Sequence, residues 1–244
     1  GPGELPSNWR LGSRPNLRQI HHEAERNVPE DVVRSCLIDE IGKEKNLTAG
    51  AAGAGAKVHT LPNHPKDIQD DGRFHYAVLG PSAVSASADP SEEARRFINE
   101  TTGPDKPRVY RNAVVLAVPS RAGLDAARNA IRSHLAWERV NEEIKDQDID
   151  PIRKQMLRDN RRKSRNRVSQ MIQQAYCIAV TVSEENEIEA FRVKVDENPL
   201  FTAIKEDSRS RIKDAAVNAE ALLPGGPYDL WQEGETSRRF QDLS

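Results

Sequence analysis

Residues 112–118 (NAVVLAV) form an almost wholly apolar run, and this run limits what the chain can fold into. A strand without polar alternation is typical of the centre of a sheet that is covered on both faces by helices. Two earlier strands are predicted at 57–61 and 74–79, and the spacing of apolar residues predicts a helix at 90–102.

The second half of the chain continues this alternation of elements. Apolar residues at helical spacing predict a long helix after Pro119, and Asp150-Pro151 begins another over 151–174. Two strands follow at 176–183 and 189–195, joined by a turn at 184–187, and a final helix is predicted at 199–222. The pattern therefore predicts an α/β fold: a mixed, mainly parallel small sheet flanked by long helices, with a C-terminal hairpin and helix.

Composition along the chain suggests three regions. Residues 1–15 read as the remainder of a cleaved tag followed by an irregular leader, and 16–45 read as a pair of helices. Residues 46–244 form the α/β region, in which the Gly- and Ala-rich segment 46–56 is expected to be a flexible loop. The ends of the sequence suggest a piece cut from a longer protein.

The overall charge points to no particular partner. The 36 basic and 38 acidic residues give a net charge of −2, so a polyanion site must come from a local cluster. No apolar run approaches the ~20 residues needed to span a bilayer, and we therefore expect no membrane partner. Two cysteines far apart in sequence favour free thiols in the cytoplasm.

Motifs for chemistry are weak. Gly50 and Gly55 have the separation of a phosphate-binding loop, but Ala56 stands where the motif needs lysine. The histidines lack metal-site spacing, and no serine lies in a nucleophile elbow. Asp70-Asp71 is a weak candidate for an acid–base pair, with a local turn as the alternative. The sequence thus predicts neither catalytic nor metal-binding residues.

The strongest charge feature is the helix predicted at 151–174, where residues 153–167 hold eight bases and one acid. No apolar residue lies between 158 and 167, so we expect this stretch to face water or a polyanion rather than a core. Double-stranded DNA is the predicted polyanion, and a solvated helix or an acidic protein surface is the alternative. The candidate phosphate contacts are Arg158, Arg161, Arg162, Lys163, Arg165 and Arg167.

A second basic cluster immediately precedes the apolar run. Arg108, Arg111 and Asn112 are candidates for contact with an anion across a domain or subunit interface, since guanidinium groups suit that task. The alternative is that these residues cap helices or pair with acids inside the fold.

Several stretches resemble the domain-of-unknown-function family four-nine-nine, which comprises large bacterial AAA+-like P-loop ATPases. They are PRVYRNAVVLAVP at 107–119, RPNL at 14–17, LAW at 135–137, QAY at 174–176 and PGGPYDLW at 224–231. The resemblance implies an ATPase associated with anti-phage defence or restriction, whose nucleotide-binding lysine motif lies upstream. ATP and Mg²⁺ would then be cofactors of the oligomeric parent, with none in this fragment.

The sequence and the resemblance together predict a non-catalytic fragment that couples nucleotide state to DNA or to partner binding. One alternative is a protein-docking module of a defence or DNA-methylation complex, with a DNA methyltransferase as an example of its partner. Another is a metal-dependent nuclease, which needs carboxylates that converge only in the folded chain.

Overall fold

The computed structural model describes residues 16–207, which divide into two compact units. The helical unit consists of residues 16–36 and 128–168, and the sheet unit consists of residues 37–127 and 169–207. The division at residues 45 and 46 expected from composition does not capture this, because each unit joins segments that are distant in sequence.

The helices and strands of residues 16–207 follow in chain order. The helices are α1 (Leu17–Arg26), α2 (Glu30–Lys43), α3 (Glu92–Asn99), α4 (Arg121–Ile144), α5 (Pro151–Ala175) and α6 (Leu200–Glu206). The strands are β1 (Lys57–Thr60), β2 (His75–Val78), β3 (Glu100–Gly103), β4 (Lys106–Pro107), β5 (Val114–Pro119), β6 (Tyr176–Val182) and β7 (Ile188–Arg192).

The helical unit is built on a small apolar cluster. The Asn16 side chain caps α1 by accepting a hydrogen bond from the Arg18 amide at 2.7 Å. The His21 ring on α1 stacks on Trp137 of α4, with 4.1 Å between ring centroids. The buried members of the cluster are Leu17, Ala24, Ala136, Trp137, Val140, Ile144, Ile149 and Leu157.

The sheet unit contains a five-stranded sheet in the order β1-β2-β5-β6-β7. β1, β2 and β5 run parallel, whereas β5–β6 and β6–β7 are antiparallel. All six residues of β5 are buried, as the apolar run predicted. The predicted mixed α/β fold is confirmed, and Asn186, with a φ of 64°, lies in the predicted turn between β6 and β7.

Two predictions of local structure are wrong. Segment 46–56 is not a loose loop: it forms short 3₁₀ turns at Lys45–Leu47 and Ala52–Ala54. Leu47 and Ala51 are buried, and the Tyr76 hydroxyl donates to the Leu47 carbonyl at 2.7 Å, so tertiary contacts order the segment. The helix predicted at 90–102 stops at Asn99, and its last residues form β3 instead.

Some predictions fall on residues that the structure does not describe. They are the leader at 1–15, the part of the final helix beyond residue 207, and the resembling stretch at 224–231.

Candidate nucleic-acid interface

Helix α5 carries the basic cluster, and its first turn is held by a side-chain cap. Asp150 accepts a hydrogen bond from the Arg153 amide at 2.9 Å, and Pro151 occupies the first helical position. The buried positions Leu157, Ser164 and Val168 follow one side of the helix within the helical unit. The opposite side and both flanks are therefore left for exposed side chains.

Most of 158–167 is exposed, as expected, but Ser164 departs from the expectation that this stretch does not pack. Ser164 is buried, and its hydroxyl donates to the Arg161 carbonyl at 2.8 Å. The hydroxyl oxygen lies 2.9 Å from His134 Nδ1 on α4, so the ring nitrogen donates to it. The Ser164 hydroxyl thus allows a polar side chain to pack between α4 and α5, where an apolar residue would be expected.

Arg161 lies beside Ser164 and is committed to an ion pair. Its guanidinium makes two parallel hydrogen bonds to the Glu138 carboxylate on α4, at 2.9 and 2.7 Å. The hydrogen bonds from Arg161 outweigh partial burial and lower the pKa of Glu138, while the same pairing raises the pKa of Arg161. Of the six predicted phosphate contacts, Arg161 therefore has a competing role within the helical unit.

The remaining bases lie on two flanks of α5. Lys163 and Arg167 share one flank, and both are exposed. The other flank carries four exposed bases, which we call the α5 basic stripe: Lys154, Arg158, Arg162 and Arg165. These residues are four, four and three positions apart and span about 16 Å along the helix at 1.5 Å rise per residue.

Two contacts within α5 involve residues of the stripe. Asp159 is the one acid of α5, and it accepts a hydrogen bond from Arg162 at 3.1 Å. Arg158 donates to the neutral Gln155 side chain at 2.7 Å. Because exposed pairs three residues apart contribute little, these guanidinium groups can exchange their partners for an anion at small cost.

The second predicted basic cluster is placed differently. Arg108 is 1% exposed and donates to the carbonyls of Ile68, Pro65 and Glu100 at 2.9, 3.0 and 3.1 Å. Burial lowers the pKa of Arg108, and Asp70 and Asp71 oppose that shift. Its guanidinium therefore clamps backbone segments of the sheet unit.

The neighbours of Arg108 are also engaged inside the sheet unit. Arg111 donates to the side-chain oxygen of Asn186 at 3.3 Å, and burial lowers its pKa against the opposing charge of Glu187. Asn112 is buried in the 3₁₀ turn before β5. The structure thus gives Arg108 and Arg111 intramolecular bonds, whereas five of the six bases predicted as phosphate contacts on α5 are exposed.

The two adjacent acids of the sequence take separate roles. Asp70 accepts from the Val109 and Tyr110 amides at 2.7 and 2.9 Å, which holds the chain directly after Arg108. Asp71 instead contacts His75 and Lys57. The sequence did not indicate this cluster, because it forms only when β1 and β2 pair.

Two features are absent from residues 16–207. No group of three or more His, Cys, Asp or Glu side chains in this range could hold a metal ion. No helix in the same range is both long and apolar enough to cross a membrane.

No family model, curated protein or solved structure matches this chain. The resemblance to the ATPase family therefore stays a prediction based on the quoted stretches of sequence.

Proposed function

We propose that this chain binds double-stranded DNA through the phosphate backbone, with the α5 basic stripe as the contact surface. The observation that carries the proposal is the row of exposed bases Lys154, Arg158, Arg162 and Arg165 on one flank of one helix. Lys163 and Arg167 add positive charge on the other flank, while Arg161 supports the helix through Glu138.

The chemistry of α5 favours phosphates over bases. Guanidinium groups form two-point hydrogen bonds with phosphate oxygens, and three of the four stripe residues are arginines. The helix contains no Phe, Tyr or Trp, so it offers no platform on which single-stranded bases could stack. Phosphate contacts position a protein without reading sequence, and we therefore expect low sequence specificity.

The wider role remains that of a defence-associated ATPase fragment, a proposal that rests on the resemblance. In that role the DNA contact would couple DNA binding to the nucleotide state of an oligomeric, cytoplasmic parent whose cofactors are ATP and Mg²⁺. Cys36 and Cys177 form no disulfide with each other, which is compatible with a reducing compartment.

One observation favours a second candidate, the docking of an acidic protein such as a methyltransferase subunit. Ile152 and Met156 on α5 are 74% and 49% exposed, and they lie on the same flank as Lys163 and Arg167. Apolar side chains next to bases suit an acidic amphipathic partner better than a phosphate backbone.

Fluorescence anisotropy of a labelled 20-base-pair duplex across a salt series tests the DNA proposal. The stripe variant carries Arg158→Gln, Arg162→Gln and Arg165→Gln. The matched control carries Arg18→Gln, Arg26→Gln and Arg34→Gln, which removes the same charge from exposed positions on α1 and α2. Each phosphate contact adds about 0.9 to the slope of log affinity against log salt, so the stripe variant should lose roughly 2.7.

The control should keep both the affinity and the salt slope of the original chain. Equal losses in the two variants, or no binding at about 50 mM salt, would contradict the proposal. A labelled polyglutamate peptide is the second probe: binding to the peptide but not to duplex DNA would favour the protein-docking candidate.

A further inference from the structure

A chain of hydrogen bonds crosses the sheet unit from the loop before β2 to the edge strand β1. His75, the first residue of β2, is 1% exposed, and its Nε2 lies 2.7 Å from Asp71 Oδ1. Its Nδ1 lies 2.9 Å from Nε2 of the half-buried His59 on β1. Lys57 holds the other Asp71 oxygen at 2.8 Å. We call Asp71, His75 and His59 the histidine latch.

The partners assign the protons of the latch at neutral pH. Burial opposes ionisation of Asp71, but hydrogen bonds from Lys57 and His75 hold its pKa well below the usual range, so the group is a carboxylate. His75 must then donate from Nε2 to that carboxylate. Its Nδ1 keeps a lone pair, which accepts a hydrogen bond from the Nε2 proton of His59.

This arrangement can hold one additional proton and no more. With one, either imidazole becomes charged and a single proton still joins the two facing nitrogens. With two, both facing nitrogens carry protons, and two donors cannot remain 2.9 Å apart. Complete protonation therefore breaks the side-chain hydrogen bond between β1 and β2.

The groups around the two rings oppose protonation on balance. Burial, the charges of Lys57 and Arg108 and, for His59, the neighbouring His75 lower the pKa of both rings, and Asp71 acts in the opposite direction. The unfolded histidines titrate near 6.5, above both folded values. The stability that the two neutral histidines contribute against opening of β1 is therefore fully present above pH 6.5. It is lost as the pH falls below 6.5, because the opened state binds more protons than the folded state.

Strand β1 is the element that would separate from the sheet when this stability is lost. Among residues 16–207 it lies at one edge of the sheet and pairs with β2 alone, over the four residues Lys57–Thr60. A short edge strand opens at lower free energy than the centre of a sheet. We propose that the histidine latch is an acid-sensitive device that frees β1 from β2 when both histidines take up protons.

Hydrogen–deuterium exchange of the whole chain between pH 7.5 and 5.0, corrected for intrinsic rates, tests this directly. Opening of residues 57–61 should become more frequent on acidification, approaching about tenfold per pH unit if the opened state binds one more proton. The interior strand β6, at Tyr176–Val182, should show no such change. Equal pH dependence in both strands would overturn the proposal.

The variant His59→Gln sharpens the test without removing the hydrogen bond. A rotating amide can donate to His75 when the ring is neutral and accept from it when it is charged, so β1 should lose the part of its acid sensitivity that comes from the two facing rings. His22→Gln, at an exposed position on α1, is the matched control and should behave like the original chain. Acid sensitivity in His59→Gln equal to that of the original chain would contradict the latch.

Nitrogen-15 NMR of the unaltered chain adds a readout that does not depend on any variant. At pH 7.5 both His59 and His75 should carry their proton on Nε2. A proton on Nδ1 of His75 at that pH would exclude the proposed direction of the hydrogen bonds.

Discussion

Arg108 in the sheet unit and Arg162 in the helical unit lie in opposite environments, although both were predicted to contact an anion. In the sheet unit, Arg108 is 1% exposed and donates to three backbone carbonyls. In the helical unit, the side chain of Arg162 is 72% exposed and pairs with Asp159, three residues earlier on α5. The burial and the hydrogen-bond partners of an arginine, and not its charge alone, therefore decide whether it can meet an anion.

The two guanidinium groups differ in whether protein groups or water molecules accept their hydrogen bonds. Burying a charge is costly unless its donors are satisfied, and Arg108 meets this need by donating to the carbonyls of Pro65, Ile68 and Glu100. Its Nε is buried without a hydrogen-bond partner among the described residues, so the compensation is incomplete. Residues of the α5 basic stripe remain hydrated and can still gain from meeting an anion.

The largest expected effect comes from Arg108→Ala. The substitution removes the guanidinium donors from the carbonyls of Ile68 and Glu100 and leaves the Pro65 carbonyl with the Ile68 amide. We expect the free energy of unfolding to fall by about 3–5 kcal/mol, because buried polar groups lose their partners and a large buried side chain is lost. Urea unfolding measures this loss. Duplex affinity of the protein that remains folded should not change, and a loss of affinity with unchanged stability would reverse the roles assigned to the two regions.

A smaller effect is expected from Asp70→Asn. The carboxylate accepts from two backbone amides that follow Arg108, and an amide side chain offers only one oxygen. One amide loses its partner, so stability should decrease by about 1–3 kcal/mol in urea unfolding. Asp39→Asn, at an exposed position on α2, is the control and should stay within about 0.5 kcal/mol.

The sequence predicted those elements whose signal is local. The apolar run marked β5, the break at 184–187 marked the hairpin, and Asp150-Pro151 marked the start of α5. Each depends on residues within one element or its cap. The mixed α/β fold follows from their order along the chain.

Features that depend on distant partners could not be predicted. Segment 46–56 looks flexible by composition, but the Tyr76 hydroxyl and a buried Leu47 order it. The burial of Arg108 depends on carbonyls about 40 residues earlier in the chain. His59 and His75 meet only because β1 and β2 pair in parallel register, which no spacing in the sequence reveals.

The same contrast between an engaged and an exposed arginine exists within α5, at the adjacent residues Arg161 and Arg162. Arg161 holds Glu138 with two hydrogen bonds, whereas Arg162 holds Asp159 with one. Arg161→Ala should lower the free energy of unfolding by about 0.5–1 kcal/mol, and Arg162→Ala by less than about 0.5, since both pairs are partly exposed. Duplex affinity should respond in the opposite order, with Arg162→Ala the weaker binder.

The pH dependence separates the two arginines further. Because Arg161 depresses the folded pKa of Glu138, this pair contributes stability above the unfolded pKa of the carboxyl and loses it as the pH falls through the folded value. Arg161→Ala should move the Glu138 titration, followed by carboxyl carbon NMR, toward its ordinary value, and Arg162→Ala should leave it in place. An identical Glu138 titration in both variants would mean that Arg161 is as available to DNA as its neighbour.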